Sequence, residues 1–243
     1  MAWDSTKGRP EPIRSLNRIR EIENGEPLVN IVECVPRIRV TRPATIHYLR
    51  QSVAEMLAVA ARSLPDGLRF AVGDCFRTLA RQQRIYDFMY KSAKEVFPDR
   101  SHAAIRRTIC RWIAPTDQKA PPGHCTGAAI DLNIEDLDGN ELDVWSPYER
   151  LAGAPTYVFG LTPQAQTNRD LLVNTMLGAG FSNCRDEWWH YSYGDAGWAV
   201  RVGSETCCYG LVHLDPSIVE GHEQLHIASM EGRENPFYKF PKR

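Results

Sequence analysis

Hydrophobic positions are sparse over the first part of the chain. Residues 1–42 are polar and interrupted by proline, and the apolar run at 30–35 is the one strand candidate among them. We interpret this segment as an arm that wraps a domain. After Pro43, apolar side chains recur at helical spacing up to the turn at 65–67. The pattern predicts an amphipathic helix with the apolar positions Ile46, Leu49, Val53, Met56, Leu57, Ala60 and Ala61.

Short strands and longer helices follow one another through the rest of the chain. The patterns predict strands at 68–74, 127–132, 187–193 and 198–202, and helices at 79–97, 101–114 and 164–179. Helices that are segregated from short strands are typical of the α+β class. We therefore expect a small central antiparallel sheet that carries the functional site, with helices packed on one side of it.

Composition and charge narrow the classes of function. The 243 residues are enough for one domain with a sizeable core, and 29 basic residues balance 30 acidic ones. This balance argues against nucleic acid or an anionic membrane as a partner and favours a small molecule. No run approaches the roughly 18 apolar residues of a membrane span, and the first residues lack the pattern of a secretion signal. We expect a cytoplasmic protein; the sequence does not indicate its oligomeric state.

The cysteines do not predict a disulfide framework. There are seven of them, an odd number, and no two are arranged as C-x-x-C. Such scattered residues are typical of reduced, buried thiols rather than of a thiolate zinc site.

Histidines and carboxylates near two predicted strands are the candidate chemistry. His124 and Asp131 are seven residues apart, so on a regular strand they would face opposite sides; a turn at Gly127 would let both lean over one site. Glu187 and His190 form a second pair. Two imidazoles and one carboxylate hold Zn²⁺ with a position left open, and a further carboxylate can serve as a base. On spacing alone, ordinary core or surface histidines remain the alternative.

An arginine stands at a predicted strand-to-helix junction. Arg77 follows Phe76 directly after the strand at 68–74. Such an arginine is ordinarily a solvated rim residue, so by itself Arg77 predicts no function.

Two spaced motifs carry a resemblance to a known family. The pattern H-x-x-G-x-A-x-D at 124–131 and the pattern E-x-W-H at 187–190 resemble the metal signature of the D-alanyl-D-alanine dipeptidases. These form the VanX-like branch of a zinc peptidase family, M15, that also contains D-Ala-D-Ala carboxypeptidases and L,D-endopeptidases. The likeness runs from about Leu68 to about Val202.

The resemblance implies a role for each candidate residue. His124, Asp131 and His190 would bind one zinc ion per chain, and Glu187 would be the general base. The family's aromatic-Arg pair after a strand matches Phe76-Arg77, which implies that Arg77 stabilises the oxyanion of the tetrahedral intermediate.

Two positions depart from the family pattern. Pro122 stands where the family has a serine that helps to hold the substrate, and proline offers neither a hydroxyl nor an N–H. The family's Gly-Thr-Pro-Phe-Asp stretch, whose acid pairs with the amino group of the dipeptide, corresponds to residues 145–149 here. Within that stretch, Ser146 and Glu149 are the predicted substrate-binding residues, with Glu149 in place of the acid.

A competing motif lies near the end of the chain. Residues 222–226 fit H-E-x-x-H, the zincin pattern in which two histidines on one helix hold zinc. Gly221 weakens a helix there, and the 17 residues that follow contain no further histidine. A surface helix in a C-terminal extension is the favoured interpretation.

The sequence thus predicts an N-terminal arm (1–42), a zinc peptidase domain (43–203) and a C-terminal extension packed on it (204–243). The primary hypothesis is a zinc dipeptidase that hydrolyses D-Ala-D-Ala or a similar small peptide containing D-amino acids. One alternative is an L,D- or D,D-peptidase that acts on longer peptidoglycan peptides of the cell wall. Another is a non-catalytic, zinc-containing peptide-binding module on the same fold.

Overall fold

The structure, a computed structural model, describes residues 9–238. The outermost parts of the predicted arm (1–8) and of the predicted extension (239–243) lie outside the described residues. The helices are α1 (Ile13–Leu16), α2 (Ile31–Cys34), α3 (Gln51–Ser63), α4 (Leu79–Val96), α5 (His102–Ile109), α6 (Pro163–Gly178), α7 (Ala196–Val202) and α8 (Pro216–Met230). The strands are β1 (Arg20–Glu21), β2 (Leu28–Asn30), β3 (Ile38–Val40), β4 (Tyr48–Arg50), β5 (Leu68–Asp74), β6 (Ala129–Asp136), β7 (Ser182–Asn183), β8 (His190–Ser192) and β9 (Thr206–Cys207).

A five-stranded sheet in the order β3-β5-β6-β8-β7 forms the centre of the fold. The pairs β5·β6, β6·β8 and β7·β8 are antiparallel, whereas β3 runs parallel to β5 at one edge. The α+β prediction is confirmed, with one parallel edge strand added to the expected antiparallel sheet. Because β3 comes from residues 38–40, part of the segment predicted as an arm belongs to this sheet.

The main core lies between the sheet and two helices. Buried side chains of α3, such as Leu57, meet Phe70 of β5, Ile130 of β6 and Leu172 of α6 in one apolar cluster. A second cluster forms where α4 packs on α5, with Tyr86, Met89, Ala93, Ile105, Ile109 and Ile113. Strands β5, β6 and β8, which carry or precede the candidate site residues, therefore pack on a continuous core. This packing fixes the positions of their ends.

Two short segments that were predicted as strands are helical. The run at 30–35 is wrong as a strand beyond Asn30, because the Asn30 side chain accepts a hydrogen bond from the Val32 N–H (3.0 Å) and caps α2. The run at 198–202 lies within α7, where the Asp195 side chain accepts from the Trp198 N–H (2.6 Å). In both places a capping side chain overrides the preference of β-branched and aromatic residues for strands.

Several predicted boundaries also shift: the helix predicted at 101–114 ends at Ile109, and the strand predicted at 127–132 is β6, Ala129–Asp136. The segment 48–50 is strand β4, paired with β2, and the helix begins only at Gln51. In the predicted strand 187–193, the regular part is β8, and the residues before His190 form a turn.

The N-terminal segment is fastened to the domain by a buried arginine and a short sheet. Arg50, 2 % exposed, donates to the Glu23 carboxylate (2.9 Å) and to the carbonyls of Thr126 (2.8 Å) and Gly210 (3.2 Å). Strand β1 pairs in parallel with β9, so residues from both ends of the described chain meet. None of the helices in the described part of the chain is long and apolar enough to cross a membrane.

Candidate metal centre and active-site cleft

A tight turn before β6 positions the first histidine. Residues Gly123–Thr126 form a 3₁₀ turn that ends at Gly127, whose φ of 71° lies in the left-handed region. The backbone angle favours glycine here, and a Cβ atom at Gly127 would lie 2.2 Å from Leu28 Cδ2, so the Leu28 side chain would also have to shift. This is the turn that the spacing of His124 and Asp131 demands.

The three predicted metal ligands converge. His124 Nδ1 lies 2.6 Å from the carbonyl oxygen of Cys75, and its Nε2 faces Asp131 Oδ1 at 3.2 Å. Asp131 on β6 and His190 on β8 are directly opposed in register, and His190 Nδ1 lies 2.8 Å from Asp131 Oδ1. One ligand atom from each of the three residues lies within 4.8 Å of the other two.

This donor set fits a zinc ion. Two imidazole nitrogens and one carboxylate oxygen are the usual ligands of a catalytic zinc site, in which a fourth position stays open. The Cys75 carbonyl accepts a hydrogen bond from His124 Nδ1, as an outer partner does when the other ring nitrogen binds metal. Burial would raise the pKa of Asp131, but the two histidines outweigh it and hold that pKa well below its ordinary value. Asp131 is therefore an anion, as a ligand must be.

Arg77 lies beside the metal cluster and is held from three sides. Its Nε donates to Asp74 Oδ2 (2.9 Å), Nη1 to Gln82 Oε1 (3.1 Å) and Nη2 to Asp131 Oδ2 (3.3 Å). Its backbone N–H donates to the carbonyl of His124 (3.1 Å). Although burial lowers the pKa of Arg77, the carboxylates of Asp74 and Asp131 raise it above its ordinary value. The guanidinium is a fixed cation at the site, and a solvated position on the rim is excluded.

Glu187 lines the same cleft, in the turn before β8. Burial and the Asp131 carboxylate raise the pKa of Glu187 well above its ordinary value, and Arg77 lowers it only in part. Asn183, which is 1 % exposed, holds the backbone of this turn through its Nδ2 atom. Nδ2 lies 3.4 Å from the carbonyl oxygen of Glu187 and 3.1 Å from that of His190.

The cluster opens into a cleft of about 670 Å³. Its walls come from the N-terminal segment 9–16, the end of α5 with residues 110–114, the 121–124 turn and residues 184–187. Besides Arg77 and Arg201, five arginines line the cleft: Arg9, Arg106, Arg107, Arg111 and Arg185. A cavity of this size suits a small-molecule or short-peptide ligand.

The two predicted substrate-binding residues lie elsewhere. Neither Ser146 nor Glu149 is among the residues that line this cleft. The Ser146 N–H donates to Asp143 Oδ1 (3.1 Å), and its carbonyl accepts from the Thr162 N–H (2.9 Å), while Glu149 is exposed. The neighbouring Trp145 packs on Trp188 and Trp189, so this loop supports the Glu187 turn from outside. A substrate-binding role for Ser146 and Glu149 stays a prediction.

Sequence reasoning missed the residues that orient the others. Asp74 and Gln82 hold Arg77, and Asn183 holds the Glu187 turn. Asp74 ends strand β5 three residues before Arg77, and this spacing was the available signal. Gln82 and Asn183 looked like ordinary polar residues, because only the tertiary structure brings their amides to the site.

The zincin alternative is wrong for the motif at 222–226. Within the described residues, the group of three that could hold a metal is His124, Asp131 and His190. His222 Nδ1 lies 3.1 Å from the carbonyl of Pro43, and His226 is buried.

Comparisons with known proteins identify the family of the chain. The profile of the family Peptidase_M15, described as D-ala-D-ala dipeptidase, matches residues 39–208. The chain is a metallopeptidase, a hydrolase, and it belongs to the M15 family on its VanX-like side.

Two curated relatives share this description. The chain is similar to a D-alanyl-D-alanine dipeptidase of Synechocystis sp., with 28 % identity over 177 residues, which are 63 % of this chain and 72 % of the relative. It is also similar to the D-alanyl-D-alanine dipeptidase of Escherichia coli, with 33 % identity over 87 residues, which are 35 % of this chain and 45 % of that protein.

Two solved structures show a more distant likeness. One is VanYB in complex with D-alanine-D-alanine, with a TM-score of 0.38 at 20 % identity, covering 65 % of this chain and 79 % of VanYB. The other is a mutant of the D,D-pentapeptidase VanY in complex with Zn(II), with a TM-score of 0.41 at 16 % identity, covering 86 % of this chain and 99 % of VanY.

Proposed function

We propose that the protein is a zinc-dependent dipeptidase that hydrolyses D-Ala-D-Ala or a similar small peptide containing D-amino acids. One observation carries the proposal: His124, Asp131 and His190 converge, and Arg77 and Glu187 line the same cleft. A structural zinc site requires neither a fixed cation nor a free carboxyl beside it. The family match and the two dipeptidase relatives support the choice of substrate.

The residues of the chain divide the chemistry between them. When bound by the two histidines and Asp131, Zn²⁺ supplies a Lewis acid that polarises a carbonyl and acidifies water. Glu187, whose pKa is raised, accepts the proton of the attacking water and then delivers it to the leaving amine.

Arg77 is placed to stabilise the developing oxyanion. A guanidinium has five N–H donors, and the bonds to Asp74, Gln82 and Asp131 engage three of them. Two donors therefore remain for a substrate oxygen. Because the guanidinium is already fixed by its partners, it needs little reorganisation as negative charge develops.

An assay of D-Ala release from D-Ala-D-Ala tests the substrate, with L-Ala-L-Ala as the stereochemical control. We expect turnover of the D,D-dipeptide by the zinc-loaded protein. Glu187→Gln should lower kcat by about 10²- to 10⁴-fold with zinc retained. A zinc-loaded protein that does not hydrolyse the dipeptide contradicts the substrate, and unchanged turnover in Glu187→Gln contradicts the mechanism.

A second candidate function concerns longer cell-wall peptides. The cleft is larger than a dipeptide requires, and its arginines could meet carboxylates of a longer substrate. Comparing kcat/KM for the free dipeptide with that for an N-acylated tripeptide ending in D-Ala-D-Ala separates the two. A higher value for the tripeptide would favour a D,D-carboxypeptidase.

The variants Glu149→Gln and Ser146→Ala test the two predicted substrate-binding residues. A raised KM for the dipeptide in either variant would support the predicted contact of that residue with the substrate.

The place of action is also a prediction. We propose that the enzyme acts on such peptides in the cytoplasm, and fractionation of cells that produce the tagged protein would test this.

A further inference from the structure

Helix α8 lies beyond the segment that matches the family profile and carries the H-E-x-x-H motif at 222–226. Glu223, the glutamate of this motif, is not among the described residues that could hold a metal ion. Glu223 instead contacts α4: it accepts hydrogen bonds from Thr78 Oγ1 (2.9 Å), from Arg81 Nε (3.1 Å) and from Arg84 Nη2. Burial would raise the pKa of Glu223, but Arg81, Thr78 and Arg84 outweigh it and lower that pKa. Glu223 is therefore an anion that binds the first turn of α4.

The arginine at the centre of this contact is buried. Arg81 is 1 % exposed, and it also donates to the carbonyls of Ala44 (2.7 Å) and His222 (2.8 Å). With Glu223 in place, every nitrogen of the Arg81 guanidinium has an oxygen partner. Removing the carboxylate would leave a buried cation without its counterion, which is costly.

The first turn of α4 also holds Arg77. Thr78, the residue after Arg77, is the N-cap of α4, and its Oγ1 accepts from the Arg81 N–H (3.1 Å). A threonine hydroxyl can donate one hydrogen bond, and Thr78 donates it to Glu223. The lone pairs of Oγ1 therefore remain free to accept the capping hydrogen bond. In the same turn, Gln82 accepts from Arg77 Nη1 and donates to the carbonyl of Ala114 (2.8 Å).

We propose that Glu223 is a positioning residue for Arg77: by fixing the Thr78 cap and Arg81, it holds the turn whose Gln82 orients the guanidinium. Helix α8 thereby contributes to the rate of the reaction without touching the substrate. The proposal rests on the proposed function, because it assigns Arg77 to the oxyanion.

Kinetics of matched variants provide the first test. Glu223→Gln removes the charge that holds the turn, and Glu220→Gln makes the same change at an exposed position of α8. We expect Glu223→Gln to lower kcat by about 10- to 100-fold, as a small misplacement of a catalytic group does, with KM changed by less than about twofold. Glu220→Gln should match the wild type. Equal kcat in the Glu223→Gln variant and the wild type would overturn the proposal.

A double-mutant cycle separates positioning from a general loss of structure. If Glu223 acts through Arg77, Glu223→Gln should have little further effect on kcat in an Arg77→Ala background. If the two losses multiply, Glu223 acts by another route and the proposal fails. Zinc content and melting temperature, measured on every variant, exclude loss of metal or unfolding as the cause.

A measurement without turnover keeps this proposal distinct from the proposed function. If the wild type hydrolyses neither the dipeptide nor the tripeptide, the proposed function fails, and the Arg77 Nε–H resonance is followed by ¹H–¹⁵N NMR instead. This N–H donates a hydrogen bond to Asp74 Oδ2. We expect its resonance to move in Glu223→Gln and to stay in place in Glu220→Gln. An unmoved resonance in Glu223→Gln would show that the carboxylate does not position Arg77.

Discussion

The amide of Asn183 fixes the turn that carries Glu187 and His190. Its Nδ2 atom reaches the carbonyl oxygens of Glu187, Trp188 and His190, and its Oδ1 accepts from Thr156 Oγ1 (2.7 Å). A buried amide with this many partners positions the proposed catalytic base and a proposed metal ligand at once, although it touches neither side chain.

Replacing Asn183 by alanine should therefore reduce both stability and turnover. We expect Asn183→Ala to lower the free energy of unfolding by about 2 kcal/mol, because buried carbonyls lose their partner. Urea unfolding and the kcat for dipeptide hydrolysis measure the two effects. Asn174→Ala, the same change at an exposed position of α6, is the control and should leave both unchanged. An equal response of the two variants would contradict this role.

His226 makes the stability of the protein depend on pH. Burial, reinforced by the charges of Arg81 and Arg84, lowers the pKa of His226 from 6.5 to about 4. Between these values the unfolded chain takes up a proton that the folded chain does not. The free energy of unfolding should therefore fall as the pH decreases from about 6.5 to about 4.

A variant that lacks only His226 isolates this contribution. Unfolding in urea at about pH 7 and about pH 4.5 should show a smaller loss of stability for His226→Gln than for the wild type. His213→Gln, at an exposed position, should behave as the wild type does. A loss in His226→Gln as large as that in the wild type would assign the acid sensitivity to other groups.

Among the individual residues, the sequence was most informative about those with a fixed chemical task. The residues that converge at the cleft, namely the three proposed ligands, Glu187 and Arg77, could be named, because imidazole, carboxylate and guanidinium groups at family spacing have few alternatives. Residues that act through a neutral amide, such as Gln82 and Asn183, could not be named. An amide becomes informative only when the fold shows which carbonyls surround it.

At the scale of elements, the turn at Gly123–Thr126 determines whether the metal site forms. It ends at Gly127 in the left-handed region and leads directly into β6, so His124 and Asp131 point to one side despite their odd spacing. The sequence indicated the need for this turn, but not that Leu28 would pack against it.

A methyl group at Gly127 should disrupt this arrangement. We expect Gly127→Ala to destabilise the fold by about 1–3 kcal/mol, from backbone strain and from the contact with Leu28, and to weaken zinc binding because His124 moves. Calorimetry and zinc titration measure the two effects. Gly178→Ala is the matched control: nothing lies within 4 Å of its added Cβ, and it lies within the last turn of α6. If Gly127→Ala binds zinc as tightly as the control does, the turn is not essential.

The misassigned elements share a physical cause. Residues 31–34 and 198–202 contain β-branched or aromatic side chains and were predicted as strands, yet both lie in short helices started by a capping side chain. The long helices α4 and α6 were predicted to within one residue at each end. Short elements depend on caps and on neighbours that come from distant parts of the chain.

For the whole molecule, metal binding should stabilise the fold. The three proposed ligands come from β6, β8 and the turn before β6, so a bound ion would link separate parts of the sheet. At a hundredfold excess of zinc over its Kd, the expected stabilisation is about 2.7 kcal/mol, which for a chain of this size corresponds to about 5–10 °C in Tm.

Removal of the metal tests this linkage without an activity assay. We expect a chelator to lower the Tm of the wild type and added Zn²⁺ to restore it. His190→Ala should respond weakly to either treatment, whereas His213→Ala should respond as the wild type does. A Tm of the wild type that does not depend on zinc would contradict a site formed by these three residues.

The pairing of β1 with β9 has a consequence for biosynthesis. The parallel pairing joins residues 20–21 to residues 206–207, and the Arg50 guanidinium donates to the carbonyl of Gly210. The N-terminal segment is synthesised long before its partners at residues 206–210. Contacts so far apart in sequence delay folding until late in translation. A nascent chain stalled before residue 206 should therefore remain accessible to proteases at its N-terminal segment, however complete its central sheet.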